Sequence, residues 1–126
     1  MRQTIYYLSD IKWKRETFFS HIRYAERSKD YAGTWGNKHE VIEAAKTAMS
    51  KRKNARAGFS CVFAVPNDLK NEELNSMIER VRSIFASAMN TQYILIYMHD
   101  STSIVGNKNK HLHIICANLT QDHKSI

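Results

Sequence analysis

Lys110-His111-Leu112-His113-Ile114-Ile115-Cys116 is the stretch that decides both the fold and the chemistry of this chain. Its aliphatic and β-branched residues predict a strand, in which alternate side chains point to the same face. His111 and His113 therefore share a face and lie about 6–7 Å apart along the strand. This spacing allows two imidazoles to bind one metal ion. The same pattern also fits a strand with two polar residues on its solvated face.

The composition indicates one basic domain. The chain has 126 residues, of which 43% are hydrophobic, and a formal net charge of +7. We expect residues 1–126 to form a single domain, and the excess of Lys and Arg favours a nucleic acid as partner. Without a transmembrane-length apolar run or a signal-peptide core, we expect no membrane partner and a cytoplasmic location. Cys61 and Cys116 lie in apolar runs and predict buried thiols.

Apolar periodicity predicts an α+β fold with the element order β-α-α-β-α-β-β. We expect an antiparallel sheet of four to five strands with helices packed on one face and the paired-histidine strand near the sheet centre. Gly33 and Gly36 predict a loop around Trp35. The predicted strands cover residues 4–8, 58–65, 93–99 and 110–118, and the predicted helices cover residues 14–28, 39–52 and a segment from residue 68 or 71 to 88.

The last two strands predict an antiparallel hairpin with its loop centred near Val105. In that register His99 lies opposite His111, and Tyr97 lies opposite His113. Directly opposed residues share a face, with Cβ atoms about 4.5–5.5 Å apart. The three histidines would then form a triangle at one end of the hairpin, whereas a slip of one residue would move His99 to the other face. Three imidazoles leave coordination positions open, which is typical of a catalytic metal site.

Five short motifs follow one another along the chain: Ile5-Tyr6-Tyr7-Leu8, Tyr24-Ala25-Glu26-Arg27, Phe63-Ala64-Val65-Pro66-Asn67-Asp68-Leu69, Ile96-Tyr97-Met98-His99 and His111-Leu112-His113. In this order they resemble the histidine-hydrophobe-histidine (HUH) single-strand endonucleases, and among these the mobilisation-type (Mob family) plasmid relaxases. The resemblance implies a site-specific nickase (a relaxase) that cleaves and rejoins one DNA strand through a 5′-phosphotyrosine intermediate. The role implied is plasmid mobilisation or conjugative transfer.

The resemblance also implies the roles of particular residues. Tyr24 would be the nucleophile, with Tyr31 as its main rival, and His99, His111 and His113 would hold a divalent metal ion, Mn²⁺ or Mg²⁺. The implied partner is single-stranded DNA at an origin of transfer or replication, together with accessory DNA-binding proteins. The residues expected to contact DNA are Arg23, Arg27, Tyr31, Lys51, Arg52, Lys53, Arg56, Lys108 and Lys110.

One departure from the family concerns acidic residues. The family usually carries them just before the apolar-Pro step, where this chain has Ser60, Cys61 and Val62. An acid that tunes the tyrosine or the metal would therefore have to come from elsewhere, and Glu26 and Asp100 are the candidates.

Two other functions remain open at this stage. The first is a rolling-circle replication initiator or single-strand transposase of the same superfamily. Those enzymes place the nucleophile after the paired histidines, whereas no tyrosine follows Tyr97 here. The second is a non-catalytic module that binds single-stranded nucleic acid, which explains the charge but leaves Tyr24 and the three histidines without a role.

Overall fold

A computed structural model describes residues 7–66, 68–102 and 108–126. Residues 4–6 of the first predicted strand, and with them Ile5 and Tyr6 of the first motif, lie outside these ranges, as does Asn67. The strands are β1 (Tyr7–Leu8), β2 (Lys12–Lys14), β3 (Tyr31–Trp35), β4 (Gly58–Val65), β5 (Ile94–Thr102) and β6 (Lys108–Ala117), and the helices are α1 (Thr17–Arg27), α2 (Lys38–Ser50) and α3 (Asn71–Met89).

The sheet is antiparallel, with the strand order β1-β4-β6-β5-β3. The short strands β1 and β2 both pair with β4, so together they form one interrupted edge of a five-stranded sheet. The paired histidines lie on β6, the central strand of this order. The predicted α+β class, the antiparallel sheet, the order of the predicted elements and the central position of the histidine strand are therefore confirmed.

Residues 31–35 form β3 instead of the predicted loop around Trp35. β3 pairs antiparallel with β5, and its register shifts between Tyr31 and Gly33. Without β3, the outer edge of the long strand β5 would be left with unpaired backbone groups. This need for pairing outweighs the weak strand propensity of a segment that contains glycine.

The helices pack on both faces of the sheet, which differs from the expected packing on one face. Leu95 and Tyr97 of β5 pack in a cluster with α1 and α2, whereas Ile94, Ile96 and Met98 pack in a second cluster with α3. Alternate residues of a strand point to opposite faces, so α1 and α2 lie on one side and α3 on the other. Strands that are buried on both faces are apolar at successive positions, and β5 has this character.

The hairpin of β5 and β6 has the register predicted from its symmetry. His99 pairs with His111 across the ladder, and Tyr97 pairs with His113. Tyr97 packs in the cluster that contains α1 and α2, and His99 shares its face because it lies two residues further along the strand. The three histidines therefore lie on the side of the sheet that α1 covers.

Candidate metal centre

Three imidazoles converge at one end of the sheet. One ring nitrogen from each of His99, His111 and His113 lies within 4.8 Å of the others. The ring centroids of His99 and His113 are 4.4 Å apart, and those of His111 and His113 are 4.9 Å apart. His99 is buried and the other two are half-buried. This group could hold a metal ion.

A backbone hydrogen bond orients the His99 ring. Its Nε2 lies 2.9 Å from the carbonyl oxygen of Ala25 in α1. Because a carbonyl oxygen can only accept, Nε2 carries the hydrogen and Nδ1 keeps the lone pair in the neutral ring. Histidines that bind metals commonly donate their second ring N–H to a carbonyl or carboxylate in this way. The contact therefore leaves Nδ1 as the metal-binding atom of His99.

The His113 ring provides the strongest indication that this group binds a metal ion. Both of its nitrogens are buried and have no hydrogen-bond partner within the described part of the chain. A buried polar atom without a partner costs about 1–3 kcal/mol, and a metal ion would remove this penalty at one nitrogen. Burial first, and then the neighbouring imidazoles, lower the pKa of His113 to about 3. The ring is therefore neutral at pH 7 and keeps a lone pair for a metal ion.

The identity of the donors limits the choice of metal. The group consists of three imidazoles, and no carboxylate belongs to it among the residues that the structure describes. Imidazole binds first-row transition ions, among which Mn²⁺ is the weakest binder, whereas Mg²⁺ dehydrates reluctantly and is held through carboxylates and water. Of the two expected metals, Mn²⁺ is therefore the better fit. Three ligands leave positions open for water or a phosphate oxygen.

A fourth histidine, His21 of α1, adjoins the group and was not among the predicted site residues. Its ring centroid lies 5.6 Å from that of His113 in an edge-on contact. Burial, the Lys14 ammonium and His99 lower the pKa of His21. The sequence could have indicated His21 through its spacing. A residue three positions before Tyr24 lies on the same flank of a helix.

The two candidate tyrosines lie on different elements on this side of the sheet. Tyr24 is 68% exposed on α1, three residues after His21 and one before Ala25. Tyr31 is 44% exposed on β3, and its Cα pairs with that of His99 across the ladder. The Tyr31 hydroxyl lies 2.5 Å from the Thr34 hydroxyl. Tyr24 therefore has the more exposed side chain, whereas Tyr31 lies on the strand that pairs directly with His99.

The two candidate acids both lie outside the three-histidine group. The Glu26 carboxylate accepts a hydrogen bond from the hydroxyl of Tyr97 at 2.7 Å. Asp100 lies on β5, where its Cα pairs with that of Lys110 on β6.

The structure divides the expected DNA-contacting cations between two places. Arg23 and Arg27 are exposed on α1, and Lys110 is half-buried beside His111. Lys108 lies on β6, but its side chain is outside the described part of the structure. The four remaining cations are exposed near the other end of the sheet, just before β4 begins: Lys51, Arg52, Lys53 and Arg56.

The distance between these two places follows from the β4–β6 register. Gly58 pairs with Ala117, whereas Ala64 pairs with His111. The start of β4 is therefore about 20 Å from the histidine end of the sheet. The structure does not bring the 51–56 cations to the histidines.

Comparison with known proteins finds similarity among solved structures. No family model and no curated protein matches the sequence. A solved structure described as "Molecular Basis of Vancomycin Resistance Transfer in Staphylococcus aureus" is similar with a TM-score of 0.46 and 17% sequence identity. The similarity covers 98% of this chain and 76% of that chain. At this level of similarity, nothing about function follows from it.

Within the described ranges, no helix combines the length and the apolar character that crossing a membrane requires.

Proposed function

We propose that residues 1–126 form one metal-dependent nuclease domain that nicks and rejoins single-stranded DNA through a tyrosine of α1. The observation that carries the proposal is the convergence of three imidazoles around the buried, unpartnered ring nitrogens of His113. A module that only binds nucleic acid has no use for such a group, because leaving its polar atoms unpaired is costly. The proposed setting is plasmid mobilisation or conjugative transfer in the cytoplasm.

In this proposal His99, His111 and His113 hold a divalent cation. When bound, the cation supplies Lewis-acid stabilisation of the negative charge on the phosphate oxygens. The Ala25 carbonyl accepts a hydrogen bond from Nε2 of His99, so that Nδ1 keeps the lone pair that would bind the cation. The depressed pKa of His113 keeps its imidazole neutral at pH 7.

Tyr24 is the proposed nucleophile. Its Oη forms a bond to the scissile phosphorus, and the bond from phosphorus to the 3′-oxygen breaks. The tyrosine hydroxyl loses its proton and the departing 3′-oxygen gains one, so the products are a 5′-phosphotyrosine and a free 3′-hydroxyl. Because the new ester preserves the phosphodiester, attack by a 3′-hydroxyl on the phosphotyrosine rejoins the strand without an external energy source.

The remaining proposed contacts hold the DNA. Arg23 and Arg27 lie on either side of Tyr24 in α1 and are exposed, so they can neutralise phosphates close to the scissile bond. An exposed aromatic ring such as Tyr31 can stack on an unpaired base. The 51–56 cations would then contact a more distant part of the same strand.

The experiment that tests this function is a covalent-adduct assay. A labelled pool of single-stranded oligonucleotides of random sequence is incubated with the protein in Mn²⁺ or in EDTA and resolved on a denaturing gel. We expect a protein–DNA band that requires Mn²⁺, is lost in Tyr24→Phe and persists in Tyr31→Phe. A protein that retards the oligonucleotides on a native gel, but forms no covalent band in Mn²⁺, would be a binding module.

A further inference from the structure

Two neighbouring residues of α1 bind side chains of the same strand. The Ala25 carbonyl accepts a hydrogen bond from Nε2 of His99 at 2.9 Å. The Glu26 carboxylate accepts one from the hydroxyl of Tyr97 at 2.7 Å. Both partners lie on β5, two residues apart, so α1 is tied to the strand that carries one of the three histidines.

The Glu26 carboxylate also joins a third element. Its oxygens lie 3.1 and 3.2 Å from the ammonium of Lys38, the first residue of α2. Tyr97 is fully buried, and its Cα pairs with that of His113 on β6 and with that of Thr34 on β3. The contacts of Glu26 therefore connect α1, α2 and β5 at the row of the sheet that contains His113.

The ionisation states of Tyr97 and Glu26 are consistent with the hydrogen bond between them. The hydrogen bond from Tyr97 lowers the pKa of Glu26. Burial first, and then the Glu26 carboxylate, raise the pKa of Tyr97. Even at their ordinary pKa values a tyrosine hydroxyl is protonated and a glutamate carboxylate is ionised at pH 7, and hydrogen bonds to an ionised group are shorter and stronger than neutral ones.

The placement of Tyr24 depends on how α1 is held. Its ring is 68% exposed, so packing does little to fix it. The buried side chains of α1 are Phe18, Ile22 and Ala25, and apolar packing is not directional. Hydrogen bonds are directional, so the bonds that Ala25 and Glu26 accept from β5 restrict the rotation of α1 about its axis more tightly than apolar packing does.

We propose that Glu26 is a positioning residue that, through Tyr97, fixes the rotation of α1 and hence the position of Tyr24 relative to the three histidines. This proposal rests on the proposed function. Glu26 acts through Tyr97 rather than on the metal, because its oxygens are engaged by Tyr97 and Lys38 and it lies outside the histidine group. Glu26 therefore takes no part in the chemical step itself.

The kinetic test is a double-mutant cycle on nicking. Tyr97→Phe removes only the hydroxyl, and Glu26→Ala removes the acceptor. We expect each to lower kcat by on the order of tenfold to a hundredfold, since a misplacement of about 1 Å has effects of that size. We expect the double variant to be no slower than the slower single one, with KM and the Kd for Mn²⁺ unchanged. Independent, multiplicative losses in kcat would overturn the proposal.

Two further variants separate positioning from general stability. In Glu26→Gln the amide oxygen can still accept a hydrogen bond from Tyr97. We therefore expect Glu26→Gln to lose less kcat than Glu26→Ala. Glu79→Gln breaks an exposed ion pair with Arg82 on α3, on the other side of the sheet, and is expected to leave kcat unchanged. A kcat of Glu26→Gln as low as that of Glu26→Ala would contradict a role through Tyr97.

A second readout does not require nicking. Amide hydrogen exchange reports local opening of a helix. We expect Glu26→Ala and Tyr97→Phe to speed exchange in residues 17–27, while exchange in α3 stays unchanged. Unaltered exchange in α1 would overturn the positioning role, whatever the activity. A different outcome would refute only the proposed function. In that case the unaltered protein forms no covalent adduct with DNA, but the two variants still show faster exchange in α1.

Discussion

At the scale of single residues, the chemistry depends on which imidazole nitrogens are available. Ala25 occupies Nε2 of His99, while both nitrogens of His113 remain without partners in the described structure. The sequence could predict the three histidines because strand alternation and hairpin symmetry define their faces. It could not predict the isolation of His113, because that depends on how α1 closes over the sheet.

The first prediction concerns the metal. We expect His113→Ala to weaken Mn²⁺ binding by more than about tenfold, because losing even an outer partner of a ligand typically costs that much. Titration of Mn²⁺ followed by electron paramagnetic resonance measures the change. His39→Ala, an exposed histidine on α2, is the matched control and should bind Mn²⁺ as the unaltered protein does. Equal affinity of the two variants would mean that the metal binds elsewhere.

The second prediction concerns the two thiols. Burial raises the pKa of Cys61 to about 11, and burial together with Cys61 raises that of Cys116 to about 12. Since the thiolate is the reactive form, almost none is present at pH 8, and we expect iodoacetamide to react slowly with the folded protein. Unfolding in urea restores the ordinary pKa values, so reaction at pH 8 should then be fast. Mass spectrometry measures both rates, and equally fast reaction of the folded protein would contradict the buried positions.

At the scale of elements, the helix and the strand with the clearest sequence patterns were predicted most accurately. α3 follows an apolar period of 3.6 residues, and β4 is bounded by Gly58 and Pro66, so both were expected close to where they lie. β3 was missed because its pairing with β5 is a tertiary effect that local propensity does not report. The packing of helices on both faces was missed although β5 is apolar at successive positions. Such a run fits a strand buried on both sides, but it does not say which helix covers each side.

The third prediction concerns the start of α2. The Asn37 side chain accepts a hydrogen bond from the backbone N–H of Glu40 at 3.1 Å, which satisfies one of the free N–H groups of the first turn. We expect Asn37→Ala to lower the free energy of unfolding by about 1 kcal/mol, as measured by urea denaturation. Asn75→Ala replaces an exposed residue inside α3, where alanine favours a helix, and is expected to cause no loss. A loss in Asn75→Ala as large as that in Asn37→Ala would contradict the capping role.

At the scale of the whole molecule, the candidate metal centre and the 51–56 cations lie at opposite ends of the sheet, about 20 Å apart. A formal net charge of +7 favours association with polyanions in general. The separation suggests two tasks for the charges. Arg23 and Arg27 would act near the scissile phosphate, and the distant cluster would hold the strand without affecting the chemical step.

The fourth prediction tests this division. We expect the double variant Arg52→Ala/Lys53→Ala to bind single-stranded DNA more weakly and with a shallower salt dependence, by about 0.7 in slope for each phosphate that is no longer neutralised. Its Kd for Mn²⁺ should not change. Arg80→Ala/Arg82→Ala removes two cations of α3 on the other face and should leave the slope as it is. Fluorescence anisotropy at several salt concentrations measures the slopes, and equally shallow slopes in both variants would indicate only a general effect of net charge.

The central claim is that a tyrosine of α1 becomes covalently bound to DNA at the three-histidine site. Mapping of the adduct by mass spectrometry tests it most directly. Trypsin cleaves after Arg23 and Arg27, so Tyr24 and Tyr31 fall in different peptides. After reaction with single-stranded DNA in Mn²⁺ and trimming of the DNA by a nuclease, we predict a nucleotide mass on Tyr24 in the peptide of residues 24–27. A nucleotide mass on the Tyr31 peptide, on a histidine peptide or on no peptide would contradict the claim.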